Sequence, residues 1–427
     1  MIDQKLIIEN PKLVAEKLAK KGCIVDFKPF LELDEKRHAL ILSVEAAKAE
    51  RNRLSASVPQ VKKEGGNVQE IFAKVKEISA KSAKDEEELA KVEEEIKNFL
   101  LPLPNLPDDD LLPGGKENNK VIHEYGKPIK FDFKPQAHVE LCESLGLIDY
   151  VRGAKMSGHG TWVYTGLGAQ LEWALLNFFI SEHLKDGYKF ILPPHILNYE
   201  SGFVAGQFPK FIDDVFSLEK VEPRKFILPT AETALVNLHR DEILNEDDLP
   251  LKYFAYTPCY RKEAGAYRTE ERGMIRGYQF NKVEMFQYTT EEQDQPAFEE
   301  LVTKAIRLME KLGLTFRVSK LAAEDISASM ARTYDIEVYL PSVGIYKEVS
   351  SVSTAHDYQA RRGRIRYREK ATGKVKFART LNGSGLATSR IFPAIVEQFQ
   401  QVDGSVKIPE VLRPYMGGLE YIKPIKK

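Results

Sequence analysis

Residues Thr257 to Phe286 read TPCYRKEAGAYRTEERGMIRGYQFNKVEMF. A strand runs into Arg261 and Glu263, a charged loop with glycines follows, and a second strand returns through Phe280 and Glu284. Arg261, Arg268, Arg272 and Arg276 fall within this one hairpin. Guanidinium forks match phosphate oxygens, bind them bidentately and stay charged at any working pH. An aromatic on the returning strand, Phe280, offers a face to a base. A plain surface hairpin also carries cross-strand charge pairs. Strands that alternate so many Arg and Glu with apolar residues are unusual for surface alone, and a phosphate-bearing ligand is the better reading.

Outward from the hairpin, strand-like segments lie at Trp162–Tyr164, Phe190–Leu192, Lys252–Tyr256, Gln279–Gln287, Phe316–Val318 and Ile336–Leu340. Amphipathic helices are predicted over 167–185 and 291–312. Strands without regular βαβ alternation argue for α+β with a largely antiparallel sheet. The phosphate loop GxxxxGK[ST] is absent. Gly383-Ser-Gly385 lacks the third glycine of a dinucleotide fingerprint.

The N-terminal part has another character. Residues 1–25 read as short helices, with Asn10-Pro11 as a start signal. Leu40, Val44, Ala47, Arg51, Leu54 and Val58 are spaced by threes and fours. A break follows from Pro59 to Gly66, and the pattern resumes from Val68 through Val75, Ser82, Leu89 and Ile96 to Phe99. Two such helices around Gly65-Gly66 predict an antiparallel helical hairpin. At ~1.5 Å per residue its arms span about 39 and 48 Å. The second helix has mostly Lys and Glu elsewhere, so the hairpin is expected to project into solvent. Lys48, Arg51, Arg53, Lys62 and Lys63 make the first helix and tip basic. Each alone reads as a solvated charge; together they suit a phosphate backbone. Residues 101–119, rich in Pro, Gly, Asn and Asp, read as a linker.

Composition bounds the rest. The chain has 427 residues, 62 Lys and Arg against 63 Asp and Glu, and 43% hydrophobic residues. The net charge of −1 excludes a uniformly basic coat protein but not a local basic face. No run of about 18 apolar residues suggests a membrane span, and the charged N-terminus lacks a signal sequence. Three scattered cysteines, Cys23, Cys142 and Cys259, exclude a disulfide framework or a CxxC knuckle and read as small buried hydrophobes.

Arg261-x-Glu263 on its hairpin is similar to motif 2 of class II aminoacyl-tRNA synthetases. Gly383-Ser-Gly385-Leu-Ala-Thr-Ser-Arg390, entering a helix, resembles motif 3. The helix 167–185 followed by Phe190-Ile-Leu-Pro193-Pro194 resembles motif 1, a dimer-interface element. With Thr230-Ala-Glu232, Glu348-Val-Ser-Ser351, Asp357-Tyr-Gln-Ala-Arg-Arg362 and the helical hairpin, the chain resembles seryl-tRNA synthetases over essentially its whole length. The resemblance implies an α+β fold: an N-terminal antiparallel coiled coil plus a class II catalytic domain on a mainly antiparallel sheet flanked by helices. The implied division is a tRNA-binding domain over 1–105 with its arm at about 34–99, a linker over 106–120 and a catalytic domain over 121–427.

The resemblance further implies ATP-dependent serine activation and transfer to tRNA(Ser), and to selenocysteine tRNA in the family. It implies Mg2+ with the ATP, a homodimer and a cytoplasmic location. Arg261 would hold the α-phosphate and the serine carboxylate, Glu263 the adenine amino group, and Arg390 the γ-phosphate and one adenine face. Phe280 would stack on the other face. Lys262, Gly277, Val349 and Ser350 would complete the ATP site. Glu348 and Ser351 would hold magnesium and phosphate. Thr230, Ala231, Glu232, Glu284 and Ser384 would form the serine pocket. Either Glu232 or Glu284 suits the ammonium or the hydroxyl. Lys48, Arg51, Arg53, Lys62 and Lys63 would meet the tRNA backbone.

There are departures from the family pattern. Gly277 stands where a bulkier apolar residue is usual, so a looser strand is expected there. Lys155 to Trp162 departs from the commoner VSGxRFxxL, and Ser351 to Asp357 lacks a frequent cysteine. These differences mark a divergent branch.

Overall fold

The computed structural model describes residues 1–263 and 272–425. Arg268 lies outside the described residues. The chain divides into two compact units: Ile2–Ala19 with Cys23–Leu103, and Met1 with Lys20–Gly22 and Pro104–Lys427.

The smaller unit is all helical: α1 (Gln4–Glu9), α2 (Pro11–Ala19), α3 (Lys28–Lys63) and α4 (Val68–Leu100). The last two pair as the expected hairpin. Val44, Ser82, Val92 and Ile96 are buried along its seam, and Leu54, Val58, Val75 and Leu89 are half-buried. Phe27, Phe30 and Phe99 cluster near its open end, with ring centroids 5.9–6.4 Å apart. Asn67 caps α4 by accepting from the amide of Gln69, and Gly65 takes φ 74° in the turn. One expectation fails here. The first helix does not stop at Pro59 but continues to Lys63. A proline removes its own amide hydrogen and crowds the carbonyl four residues back, but the turn after it still closes, with Glu64 N–H donating to Gln60 O at 3.0 Å.

The larger unit is built on eight strands: β1 (Lys120–Tyr125), β2 (Lys189–Ile191), β3 (Leu251–Tyr260), β4 (Gln279–Thr289), β5 (Phe316–Lys320), β6 (Arg332–Leu340), β7 (Ile345–His356) and β8 (Arg379–Ala387). Their order across the sheet is β1-β5-β6-β7-β8-β4-β3-β2. Every pairing is antiparallel except β2 with β3. Four of its helices shape the core and the pocket wall: α5 (Tyr150–Ser157), α6 (Leu167–Lys185), α7 (Glu291–Leu312) and α8 (Thr388–Gln398). A capping box between Thr290 and Gln293 starts α7, and left-handed Gly313 ends it. Phe298, Leu301, Leu308 and Met309 of α7 share one core with Leu171, Leu175, Phe178 and Phe179 of α6.

That core changes the reading of α6. Its apolar positions Leu171, Leu175, Phe178 and Phe179 are buried within this chain. The apolar residues it exposes are Trp173, 53% accessible, and Leu184, 52%.

The expected linker is also more ordered than its composition suggests. From Pro104 onward it belongs to the larger unit. Buried Asn105 donates to Ser329 O and Ala355 O at 3.0 and 2.8 Å, and Asp108 pairs with His356.

Candidate functional site

β3 and β4 form the hairpin read from the sequence, with Thr257 opposite Lys282 and Ala255 opposite Glu284. Side chains alternate along a strand. Phe280, Lys282 and Glu284 therefore share one face of β4, while Val283 and Met285 enter the core. β8 lies on the other side of β4 and places Ser384 opposite Glu284. The start of α8 then brings Arg390 to the same pocket. Arg261, Glu263, Arg276, Gly277, Phe280, Lys282, Glu348, Val349, Ser384 and Arg390 line it, with Ile275, Ala387 and Ser389.

At one end Arg261 lies over the Phe280 ring, 5.2 Å from its centroid, and donates from Nε to Pro229 O at 3.2 Å. Glu263 accepts from Arg276 Nη1 at 2.8 Å and has a positive φ of 47°. At the other end Arg390 Nη1 donates to Glu348 O at 2.7 Å and lies 3.3 Å from its carboxylate. Burial opposes ionisation of Glu348, but the charges of Arg390 and Arg261 prevail and hold its carboxyl below the usual range.

Deeper in, Lys282 forms an ion pair with Glu284 and donates to Thr230 Oγ1 at 2.8 Å. Asn382 Nδ2 and Ser384 Oγ donate to the two oxygens of Glu284 at 3.1 and 3.5 Å. Glu232 accepts from Gln359 Nε2 at 2.8 Å. Burial, and then the neighbouring charge of Glu284, push its carboxyl up to about 7. Ala231 is fully buried beside it.

A divalent cation has a place at the Glu348 end. Asp335 lies opposite Ser351 in the β6–β7 ladder, and its Oδ1 is buried with no hydrogen-bond partner. Burial and the Glu348 charge push the Asp335 carboxyl well above its ordinary value. Two acids and a hydroxyl fit a hard ion that takes its remaining oxygens from nucleotide phosphates. Among the described residues no three His, Cys, Asp or Glu side chains converge on a single point for a metal.

Some expected residues stand apart from the pocket. Ser350 is buried and donates its hydroxyl to Ser384 O at 2.7 Å, so that hydroxyl is already taken up within the protein. Lys262 is exposed, and its amide donates to Asp214 O at 3.1 Å. In the hairpin unit Arg51, Lys62 and Lys63 are exposed, Lys48 pairs with Glu86 at 3.0 Å, and Arg53 pairs with Glu50 at 2.6 Å.

The sequence reading missed Lys282, Asn382 and Gln359. Lys282 was within reach of it: the residue lies midway between Phe280 and Glu284 at the same period of two. The expected looseness at Gly277 is also corrected. A Cβ there would fall 2.6 Å from Cη2 of Trp162 and 2.7 Å from Gly160 O, so the indole already fills that space.

Comparison with known proteins gives a consistent answer. The model of the class II tRNA synthetase core domain (G, H, P, S and T) matches residues 216–399. That of the seryl-tRNA synthetase N-terminal domain matches residues 1–107. The serine–tRNA ligase 2 of Clostridium acetobutylicum is 59% identical over 421 residues, 98% of this chain and 99% of that one. The serine–tRNA ligase of Geobacter sulfurreducens is 44% identical over 99% of this chain and 100% of its own. The crystal structure of the Pyrococcus horikoshii seryl-tRNA synthetase complexed with ATP superposes with a TM-score of 0.92 at 32% identity, covering 100% of both chains. Among the described residues no helix is long and apolar enough to cross a membrane. With two family models matched in order along the chain and the relatives aligned end to end, the chain belongs to the seryl-tRNA synthetase family, class II ATP-dependent ligases that activate serine and charge tRNA with it.

Proposed function

We propose that this chain joins L-serine to tRNA(Ser) in two half-reactions, the first in the pocket between β4, β7, β8 and α8. The observation that carries this is the pairing of two arginine clamps, Arg261 over Phe280 and Arg390 on Glu348, with the polar recess of Lys282, Glu284 and Thr230 between the strands. The adenine ring takes the face of Phe280, with Arg390 across from it and Glu263 at its amino group. The backbone of Gly277, Val349 and Ser350 and the nearby Lys262 complete the nucleotide site.

In activation a serine carboxylate oxygen attacks the α-phosphorus and pyrophosphate leaves. The nucleophile is already ionised, so no general base is needed. Rate then rests on alignment and on neutralising charge at the phosphates. Arg261 bridges the carboxylate and the α-phosphate, and Arg390 meets the γ-phosphate. Glu348 and Ser351, with Asp335 beside them, would hold Mg2+, which when bound would add to the neutralisation of the phosphates.

Serine enters the recess of Thr230, Ala231, Glu232, Glu284 and Ser384. Glu284, already facing a cation, takes the ammonium in place of Lys282. Glu232, protonated in part near neutrality, takes the hydroxyl. Alanine is rejected because it leaves a buried polar group unpaired.

In the second half-reaction serine passes to the 3′-terminal adenosine of tRNA(Ser), held by Lys48, Arg51, Arg53, Lys62 and Lys63. The protein works as a cytoplasmic homodimer, and selenocysteine tRNA is a further acceptor. The test is ATP–pyrophosphate exchange with each of the twenty amino acids, followed by charging of purified serine tRNA. Serine-dependent exchange with charging is expected. Exchange with another amino acid alone overturns the reading.

A further inference from the structure

Two departures from the family pattern, Gly277 and the stretch ending at Trp162, meet in space. Gly277 lines the nucleotide pocket, and the indole of Trp162 sits on the far side of its Cα, where a side chain would point. The contact extends to the backbone: Tyr278 N–H donates to Gly160 O at 3.2 Å. The loop carrying Trp162 is itself wedged from behind. A Cβ on Gly153 of α5 would fall 2.5 Å from Trp162 Cα and 2.9 Å from Thr161 O. Thr161 Oγ1 closes the loop by donating to Gly158 O at 2.7 Å. Neither Gly153 nor Gly277 has a positive φ, so both are glycine for room and not for backbone conformation. Trp162 is half-buried against the main core and edge-on to Tyr164, with centroids 6.4 Å apart.

We propose that Trp162 is a positioning residue for the nucleotide, size-matched to Gly277, whose indole presses the Arg276–Tyr278 backbone into the pocket wall. It touches no reacting atom. It replaces from outside the bulk that a side chain at 277 would otherwise supply from within the strand. The inference rests on the pocket being the ATP site.

The test is exchange kinetics on Trp162→Leu, Gly277→Val and the double variant, with thermal melting as a check on folding. A misplaced binding wall costs up to about a hundredfold, and each single variant is expected to raise the ATP KM by about tenfold while the serine KM moves less than twofold. The double variant, with valine filling the space the indole vacates, is expected to recover most of that loss. ATP KM values within twofold of wild type in both single variants would overturn the proposal. Additive losses in the double variant, or equal shifts in both KM values, would do so too. Gly277→Ala replaces any variant that fails to melt cooperatively and carries the same expectations. Wild-type protein without serine-dependent exchange would refute the functional reading itself, a result distinct from all of these.

Discussion

The guanidinium carbon of Arg261 lies 5.2 Å above the centroid of Phe280, one charge and one ring facing each other across the neck of the β3–β4 hairpin. The arginine is steadied from behind by Pro229 O at 3.2 Å. Arg261→Ala should leave the fold intact and lower serine-dependent exchange by about 10²–10³, the usual cost of removing one preorganised transition-state charge partner. Exchange within a few-fold of wild type, at an unchanged melting temperature, would rule out the bridging role.

His356 gives the larger unit a pH signature. Burial alone would disfavour its charge, but the carboxylates of Asp108 and Asp294, at 2.7 and 2.6 Å, raise its pKa to about 9. A folded-state pKa above the unfolded value of about 6.5 means stability that is full below pH 6.5 and lost as pH rises through 9. His356→Ala should cost about 3 kcal/mol near pH 6. Melting curves from pH 6 to 10 should show the gap between variant and wild type closing. A gap independent of pH would mean the histidine contributes by packing alone.

Replacing about residues 34–99 by a short Gly/Ser linker should separate the two half-reactions. The hairpin buries its own seam between α3 and α4, and none of the pocket residues lies on it. Serine activation should persist and tRNA charging should fail. Charging by the intact protein should weaken as salt rises, through counterion release. Undiminished charging by the shortened protein would show that the basic residues of the arm are ordinary surface charges.

Light scattering at micromolar concentration should give twice the chain mass of 48.5 kDa. The motivation is the exposed pair Trp173 and Leu184 on α6, together with Leu192, 73% accessible, just past β2. Trp173→Glu should shift the population towards single chains, because a desolvated charge in a contact is costly. A mass near 48.5 kDa for the wild type excludes the dimer.

The elements with strong periodicity were legible in the sequence. α6 and α7 begin and end where their patterns do, at Leu167–Lys185 and Glu291–Leu312. The hairpin seam was legible for the same reason. β7 and β8 were not, although they lie near the centre of the sheet. β8 reads RTLNGSGLA and is buried almost throughout. A strand covered on both faces shows no alternation; its Asn382 and Ser384 donate to Glu284, and its Gly385 leaves room for His183. A Cβ on Gly385 would collide with the His183 ring. In the site, Arg261, Glu263 and Arg390 were found through a three-part pattern. Lys282 escaped because a lone lysine inside an apolar strand carries no pattern of its own. Trp162 and Gly277 were each visible as a departure, but their meeting depends on a fold in which residues more than a hundred positions apart become neighbours.

The place of β8 in the sheet has a consequence for synthesis on the ribosome. It is the last of the eight strands to be made, yet it joins the half formed by β1, β5, β6 and β7 to the half formed by β4, β3 and β2. Until residue 387 has emerged, β7 and β4 are open edges with unpaired amides and carbonyls, the kind of edge that recruits other chains. The helical hairpin has no such dependence, because its two arms pack on each other and both lie within the first hundred residues. A nascent chain therefore carries a finished helical arm for most of its synthesis while its central sheet stays in two unjoined halves. A premature stop between β7 and β8 therefore yields a fragment with two open sheet edges, prone to aggregate, and not a weakened enzyme.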